Sequence, residues 1–329
     1  MIPQPVDLVT LLLALLGLPI VPPASSGPAP PAAPAVVCPL TGVDAGAADL
    51  NGPVHAVKID NHPRARPQVG MQHADVVYEE LVEGGLTRFL VVFHCQKAPR
   101  LGPIRSARLV DPDLLVLYSP VVFGYSGAAP PVVAKVRSTA GVINLVHGGN
   151  GPAYHRSGGR PAPHNLYTSS DALLARPAAQ GIHGPPRTGY TFDRSLLAGP
   201  PSGSPGKGVD LSYSAGSSVG YTYDSATQKY LRSQGGRPHN EESGAQLSAT
   251  NVLVFKVPVQ IAGGSPHISV TGEGEATVLR AGQAVQGTWR RPTLQDQYSL
   301  VDPSGQPIAL APGNIWIHLV PSGRAVTVR

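Results

Sequence analysis

Residues 54–108 read VHAVKIDNHPRARPQVGMQHADVVYEELVEGGLTRFLVVFHCQKAPRLGPIRSAR, and they predict alternating elements joined by polar turns. VHAVKI is predicted as a strand, residues 73–82 have the apolar spacing of a helix, and RFLVVFH is a continuous apolar run. Such a run is typical of a strand that is buried on both faces. Reactive side chains follow each predicted element, so the stretch also indicates where a site lies.

The composition is that of a folded, loop-rich chain. Of 329 residues, 14% are charged and 42% are hydrophobic, while 38 are glycine and 36 are proline. Enough apolar residues are present to bury a core, and the length favours two domains. The formal net charge is +5, but no run of Lys or Arg occurs. We therefore do not expect nucleic-acid binding, whereas a mild attraction to anionic envelope polymers is allowed.

The N-terminus has the pattern of an export or anchoring segment. Residues 8–21, LVTLLLALLGLPIV, have the length of the apolar part of a signal peptide, although Asp7 is adjacent and no Lys or Arg precedes them. The run is short for a membrane span. The Pro/Ala-rich residues 22–37 predict a semi-rigid spacer. We expect residues 1–21 to be a signal peptide or membrane anchor rather than a buried segment. The protein would then be exported, to the outer face of the cytoplasmic membrane or as a secreted protein.

Strands and helices alternate after the spacer. VVFGYS and VINLV are predicted strands, while DLLVLY, PPVVAKVRS and the residues capped by Ser169 or Ser170 are predicted helices. The alternation predicts an α/β (or α+β) layered N-terminal domain, residues 38–198, with a largely parallel sheet. Residues 199–208 are a predicted linker. Short β-prone segments between turns then predict a mostly β C-terminal domain, residues 209–329.

Polar side chains follow the predicted strands of the N-terminal domain. Ligands bind at the carboxyl ends of the strands in a parallel sheet, and arginines placed there can give bidentate hydrogen bonds to a carboxylate or phosphate. In an equally weighted alternative, the arginines pair with nearby glutamates and only stabilise the domain. The candidate binding residues of this stretch are Asp60, Asn61, His62, Glu79, Glu80, Glu83, Arg88, Arg105, Ser106 and Arg108.

Two further segments extend the candidate site. Ser126 lies in Gly-Tyr-Ser-Gly-Ala between a strand and a helix, which is the context of a nucleophile elbow. A serine hydrolase is not favoured, because no Asp or Glu lies between Ser126 and His164. Residues 147–167 form a long glycine-rich loop, which predicts a flap over the strand ends or, alternatively, a surface insertion. This loop adds His164, Asn165 and Tyr167 to the candidate binding residues.

Neither a metal nor a cofactor is expected. The eleven histidines are scattered and no H-E-x-x-H motif occurs. Gly206-Lys207 is followed by Gly208 rather than Ser or Thr, which excludes a P-loop. Glu79 and Glu83 are four apart on one face of the predicted helix, which permits paired-carboxylate chemistry. A solvated helix end is the favoured alternative for these glutamates.

The two cysteines, Cys38 and Cys95, allow one cross-link. No C-x-x-C motif is present, so a zinc knuckle or a thioredoxin-type site is excluded. In an exported protein the two most simply form a disulfide. In a cytosolic protein they would be two unrelated thiols.

A set of motifs in a fixed order runs from residue 38 to about residue 321: CPLTG (38–42), VKIDNHPRARPQ (57–68), ADVVYEELVEGGLTRF (74–89), GPIRSAR (102–108), PHNLY (163–167), YD (223–224), YLR (230–232), PHN (238–240), and the run from GTW (287–289) to PGNIWI (312–317). In these motifs the chain resembles the YerB-like family of bacterial envelope lipoproteins, classed as a domain of unknown function. The resemblance implies an α/β-type N-terminal domain, a β-rich C-terminal domain and no established activity. A lipidation cysteine would follow the apolar run directly. Here the spacer and Val37 precede Cys38, so pairing of Cys38 with Cys95 is favoured over lipidation.

Two functions follow as hypotheses, and the choice between enzyme and binder stays open. In the preferred one, the cleft at the strand ends binds a polar or anionic cell-envelope ligand, such as a glycan or a peptidoglycan fragment. In the alternative, a cell-wall hydrolase or transferase uses the same cleft. A glutamate or His62 would then be the general base, and Arg105 with Arg108 would stabilise negative charge. A third hypothesis, a cytoplasmic accessory to nucleic-acid enzymes, rests only on the basic net charge.

Overall fold

The computed structural model of the protein describes residues 36–149, 153–176, 181, 183, 186–198 and 204–329. The predicted signal or anchor segment and nearly all of the predicted spacer lie outside this part of the chain, and so does the first half of the predicted linker. No helix among the described residues has the length and apolar content that a membrane crossing requires.

Strands dominate the described residues. In chain order they are β1 (Val54–Asp60), β2 (Val76–Leu81), β3 (Thr87–Phe93), β4 (Val121–Tyr125), β5 (Val142–Val146), β6 (His155–Arg156), β7 (Leu166–Tyr167), β8 (Ser204–Pro205), β9 (Gly208–Ser214), β10 (Ser217–Asp224), β11 (Lys229–Gln234), β12 (Arg237–Pro238), β13 (Ser248–Ala249), β14 (Asn251–Val257), β15 (Val259–Ala262), β16 (Ser265–Ile268), β17 (Gly272–Arg280), β18 (Gln283–Arg291), β19 (Ser299–Val301), β20 (Ile315–Pro321) and β21 (Val326–Val328). The α-helices are α1 (Val110–Leu115), α2 (Pro130–Ser138) and α3 (Ser170–Leu174), and short 3₁₀ helices lie at Pro63–Ala65, Met71–His73, Glu83–Gly85, Val116–Tyr118 and Arg194–Leu197.

The larger sheet takes strands from both halves of the described chain. Its order is β19-β18-β17-β14-β20-β2-β3-β1-β4-β5, with β8 beside β18. The smaller sheet has the order β12-β11-β10-β9-β21, with β13 beside β11. The strand β2 pairs with β20 in parallel, from Val76 opposite Ile315 to Glu80 opposite Leu319. The two predicted domains therefore contribute neighbouring strands to one sheet, while their boundaries at 38–198 and 209–329 stay a prediction.

The predicted helix over residues 73–82 is wrong, because residues 76–81 form the strand β2. The strand lies between β3 and β20 in the middle of the larger sheet, where both of its faces are buried. Val76 and Tyr78 enter the core on one face, and Val77 enters the core on the other. A short run that is apolar on both faces fits a helical and an extended period equally well, so the pattern alone could not separate them.

The larger sheet is mixed rather than largely parallel. The pairs β1–β4 and β4–β5 are parallel as predicted, whereas β3 is antiparallel to both β1 and β2. The cause is the short turn between β2 and β3, which leaves no room for a crossover helix. Gly84 and Gly85 have φ values of 70° and 71° in this turn, a backbone region that favours glycine.

The fold is mostly β with few helices, and the mostly β character of the C-terminal part is confirmed. The predicted helices at PPVVAKVRS and after Ser169 form as α2 and α3, and the Ser169 hydroxyl caps α3 by accepting the N–H of Ala172 at 3.1 Å. The N-terminal part is less helical than the predicted α/β layers, since β2 replaces one helix and the remaining helices are short.

Two cores lie on opposite faces of the larger sheet. Along β20 the side chains alternate, so that Ile315 and Ile317 join one core and Trp316 joins the other. Leu114 of α1 and Val136 of α2 lie in the first core, while strands β9 to β11 of the smaller sheet contribute to the second. The larger sheet is therefore covered on both faces, which explains why its central strands read as continuous apolar runs.

Cys38 and Cys95 form a disulfide, with their Cα atoms 6.0 Å apart, so the predicted pairing is confirmed. The bridge joins the segment before β1 to the residues just after β3. It therefore ties the beginning of the described chain to the end of a central strand.

Candidate functional site

The predicted site residues lie where β1, β2 and β4 end and β3 begins. They do not form one cleft, and we describe them as four groups. The Asp60 cluster is exposed in part and consists of Asp60, His62, Arg88, Arg105 and His164. The other three groups are the Glu79 network, the Lys58–Glu80–Asp111 triad and the Glu83–Arg108 pair. The Glu79 network consists of Glu79 and its partners Thr87, Arg232 and His318.

The Asp60 cluster is built around a nearly buried carboxylate. Asp60 Oδ2 lies 2.8 Å from His164 Nδ1 and 3.3 Å from Arg105 Nε, and Oδ1 accepts the backbone N–H of His62 at 3.0 Å. Asp60 is the last residue of β1, whereas His164 comes from the long loop before β7. The predicted approach of that loop to the strand ends is thus seen at His164.

The two histidines of the cluster stack, with ring centroids 4.6 Å apart. His62 Nδ1 accepts the backbone N–H of Arg64 at 3.1 Å, so a neutral His62 carries its proton on Nε2. Burial, and then the neighbouring His164, lower the pKa of His62 below its usual range. His62 is therefore a neutral hydrogen-bond donor at neutral pH. His164 Nδ1 faces the carboxylate, an arrangement that fixes the ring and leaves Nε2 for other contacts.

Positive charge exceeds negative charge around the cluster. Arg88 is only 8% exposed and donates from Nη1 to the carbonyl of Ser106 at 2.9 Å. Burial, and next the nearby Arg108, lower the pKa of Arg88 to about 10. Three guanidinium groups, at positions 88, 105 and 108, thus lie near the carboxylates Asp60 and Glu83. A bound anion would offset the surplus charge.

The charged groups of the Glu83–Arg108 pair bond to each other and to neighbouring polar groups. Arg108 contacts Glu83 Oε2 through Nε, at 2.9 Å, and through Nη2. Its Nη1 donates to the carbonyls of Ser106 and Ala107. Ser265 Oγ donates to Glu83 Oε1 at 2.8 Å. This is the outcome expected from the alternative in which an arginine pairs with a glutamate.

The Glu79 network is fully buried. Glu79 Oε2 lies 2.8 Å from Arg232 Nη2 and 3.3 Å from His318 Nδ1, and Thr87 Oγ1 donates to Oε1 at 2.7 Å. Burial alone would raise the pKa of Glu79, but Arg232, His318 and Thr87 outweigh it and hold that pKa far below its usual range. Glu79 is thus a permanently ionised partner for Arg232.

The network continues to the turn that carries the Asp60 cluster. Asn61 Nδ2 donates to Thr87 Oγ1 at 2.7 Å. Gln68 donates to the carbonyl of Asp60 at 2.9 Å and faces His239 Nε2 at 2.7 Å. Burial, and then Arg232, lower the pKa of His239 to about 2, so this ring stays neutral. The buried network therefore fixes the backbone on which Asp60 and His62 stand.

Arg232, His239 and His318 were absent from the predicted site. Arg232 lies in the YLR motif and His239 in the second PHN motif, both of which carry the resemblance described above. The motifs mark Arg232 and His239 as distinctive, but only the tertiary fold brings them close to Glu79. The pairing of β2 with β20 places His318 beside Glu79, whereas Arg232 reaches Glu79 from β11 of the smaller sheet.

Glu80 points to the opposite face from Glu79 and forms a buried triad with Lys58 and Asp111. Lys58 Nζ contacts Glu80 Oε1 and lies 2.7 Å from Asp111 Oδ1. Burial, and next the charge of Asp111, raise the pKa of Glu80 to about 7. Both glutamates are buried, so neither stands at a solvated helix end.

The remaining predicted residues lie beside the cluster or apart from it. Ser126 donates its backbone N–H to the carbonyl of Arg105 at 3.0 Å. Among the described residues, no hydrogen bond joins Ser126 Oγ to a histidine. Asn165 Oδ1 accepts from Arg156 at 2.8 Å, and the Tyr167 ring lies 4.0 Å from the guanidinium carbon of Arg100. In the part of the chain that the structure describes, no group of three or more His, Cys, Asp or Glu is placed to hold a metal ion.

The fold and the site define a mostly β protein in which N-terminal and C-terminal segments share one mixed sheet, with a cationic cluster at its strand ends. The chain belongs to the YerB-like family, as its motifs predicted. Residues 40–183 match the model "Protein of unknown function (DUF3048) N-terminal domain", and residues 209–317 match the corresponding C-terminal domain.

Two comparisons with the same relative support this assignment. A protein of Bacillus subtilis (strain 168) named "Putative lipoprotein YerB" is 28% identical over 279 residues, which cover 83% of this chain and 82% of that protein. The crystal structure of YerB protein from Bacillus subtilis matches with a TM-score of 0.77 at 24% identity, over 89% of this chain and 99% of that one. The structural likeness shows that the fold is shared.

The buried Glu79–Arg232 pair is expected to stabilise the fold strongly. Each of the single variants Glu79→Gln and Arg232→Met leaves one buried partner uncompensated, so each should lower the free energy of unfolding by about 3–5 kcal/mol. The double variant should lose less than the sum of the two. Urea unfolding at pH 7 measures all three changes. The exposed pair Glu273–Arg290 is the control, with changes within about 0.5 kcal/mol. Additive or negligible effects at Glu79 and Arg232 would contradict the assignment.

Proposed function

We propose that the protein is exported and that its Asp60 cluster binds an anionic group of a cell-envelope ligand. The observation that carries the proposal is the state of Arg105. Its Nε faces Asp60, its side chain is 25% exposed, and among the described residues no hydrogen bond is made by its two Nη atoms. A guanidinium that faces a carboxylate through Nε, and whose other two nitrogens make no hydrogen bond among the described residues, can offer two donors to one anion.

The surroundings of Arg105 support an anionic ligand over a cationic one. The nearby Arg88 is buried and its pKa is already lowered, in part by the other arginines. The neutral His62 adds an Nε2–H donor beside the stacked His164. A carboxylate or phosphate would accept these hydrogen bonds and offset the surplus positive charge, whereas a cation would increase it.

Export is supported by three independent observations. The sequence begins with an apolar run followed by a Pro/Ala-rich spacer. The disulfide Cys38–Cys95 suits an oxidising compartment. The B. subtilis relative carries the name "Putative lipoprotein YerB". We therefore propose that the described part of the chain acts outside the cytoplasmic membrane, where polar and anionic wall polymers are abundant. A peptidoglycan fragment is the ligand that we propose first.

The variant Arg105→Ala should weaken binding to purified B. subtilis peptidoglycan by about tenfold or more, since one charge-assisted contact is lost. The matched control is Arg290→Ala, which removes the same charge from an exposed pair between β17 and β18. Sedimentation of protein with the insoluble polymer gives the affinity, and urea unfolding verifies that both variants fold. The proposal would be overturned if the wild type and both variants bound peptidoglycan equally. It would also be overturned if the wild type bound neither peptidoglycan nor soluble muropeptides.

A second candidate function, a cell-wall hydrolase or transferase, is favoured by one contact. The carboxylate of Asp60 lies 2.8 Å from His164 Nδ1, which is the arrangement that orients an imidazole as a general base. His164 replaces the glutamates as the candidate base in this proposal, because Glu79 and Glu80 are buried and ion-paired. Arg105 would then stabilise negative charge in the transition state.

For this second function, peptidoglycan incubated with the wild type should release soluble fragments, and His164→Gln should slow their release by about 10²–10⁴-fold. His155→Gln, which changes an exposed histidine of the same loop, is the control and should keep full activity. Chromatography of the released fragments measures the rate. Absence of any turnover by the wild type would leave ligand binding alone as the function.

A further inference from the structure

A pocket of about 540 Å³ lies next to the Asp60 cluster and is separate from it. Glu83 and three segments enclose the pocket: residues 106–109, residues 127–132 at the start of α2, and the β15–β16 hairpin. Its volume is in the range of ligand-binding pockets. Neither Asp60 nor His164 lines it, so an occupant of this pocket would not touch the anion-binding groups of the cluster.

The charged residues of the pocket neutralise each other. Arg108 uses Nε and Nη2 on Glu83 and uses Nη1 on two backbone carbonyls. Both charges are therefore already compensated before any ligand arrives. The pocket favours an uncharged occupant with hydrogen-bonding groups over a free anion.

The pocket is lined largely by small side chains. Ala107, Ala128, Ala129 and Ala262 leave room close to the backbone, and the imidazole of His267 is the one aromatic ring among the lining residues. A sugar ring or a nucleobase would find only the exposed imidazole of His267 to stack on. Short side chains on the occupant fit this lining best.

Ser265, Pro266 and His267, which line the pocket, belong to the strand β16, and Ile268 is the next residue of that strand. Within the described residues, β16 pairs with β15 alone. Pro266 stands opposite Ile261, and Ile268 stands opposite Val259. Ser269 N–H donates to the carbonyl of Pro258 at 3.0 Å, which places Ile268 at a non-hydrogen-bonded position of the ladder. The Pro266 carbonyl and the Ile268 N–H therefore point away from β15.

This edge is preformed. The side chains of Pro266 and Ile268 are buried, and Ser265 is tied to Glu83 by the hydrogen bond at 2.8 Å. The hairpin closes through Gly263 and Gly264, whose positive φ values suit a two-residue turn. A ligand that pairs with β16 would not need to order the hairpin first, which lowers the entropic cost of binding.

We propose that this pocket is a docking site for an extended, uncharged peptide segment with small side chains, which adds as a strand to the outer edge of β16. The segment would accept the Ile268 N–H, donate to the Pro266 carbonyl, and place alternate side chains against the alanine-rich wall. This inference does not depend on the anion-binding function proposed for the Asp60 cluster.

The test uses the blocked pentapeptide Ac-Ala-Thr-Ala-Thr-Ala-NH2, titrated to millimolar concentration into isotopically labelled protein and followed by NMR. Saturable shifts are expected at the amides of β16, together with slower hydrogen exchange at Ile268. The variant Ala129→Trp fills the pocket from an exposed position and should weaken binding by about tenfold or more. The control Ala226→Trp places the same ring in an exposed turn between β10 and β11 and should bind as the wild type does.

A second peptide isolates the backbone contacts. The same pentapeptide with every backbone amide N-methylated and a dimethylamide at its C-terminus has no N–H groups to donate, and it should not bind. Three results would each overturn the proposal: no saturable shift in the wild type, equal affinity of the wild type and Ala129→Trp, or equal affinity for the two peptides.

Discussion

The buried ion pair between Glu79 and Arg232 is the interaction on which the arrangement of this protein depends. A charge without access to water is tolerated only when its partner and its hydrogen bonds are in place. Those partners come from different parts of the chain: Thr87 opens β3, Arg232 lies on β11 and His318 lies on β20. The pair therefore ties strands of the larger sheet to a strand of the smaller one, and it binds the N-terminal segment to the C-terminal one.

This buried network fixes the geometry of the candidate site. Asn61 connects Thr87 to the turn after β1, and that turn carries His62 next to the nearly buried Asp60 at the end of β1. On β2 the alternation of an extended strand sends Glu80 to the other face, toward Lys58 and Asp111. Neighbouring glutamates thus have opposite pKa shifts, because Glu79 faces cations while Glu80 also faces a second carboxylate.

Local patterns in the sequence predicted much of the fold. The strands β1, β3, β4 and β5, the helix α2 and the disulfide followed from apolar runs, prolines and the two cysteines. The position of Asp60 at a strand end and the approach of His164 were also predictable. That residues 76–81 form a strand was not predictable, because their short apolar run fits both a helical and an extended period. The burial of Glu79 and Glu80 was hidden as well, since Arg232 and Asp111 are distant in sequence and only the tertiary fold brings them close.

Hydrogen exchange at increasing urea concentration, read by mass spectrometry on each strand, tests most directly whether one shared sheet holds the site together. The amides of β1 to β3 and those of β14 and β20 should lose protection in a single transition, because β2 and β20 are paired neighbours joined to the same buried charges. A contradictory result would be that the amides of β14 and β20 exchange at a urea concentration at which those of β1 to β3 are still protected.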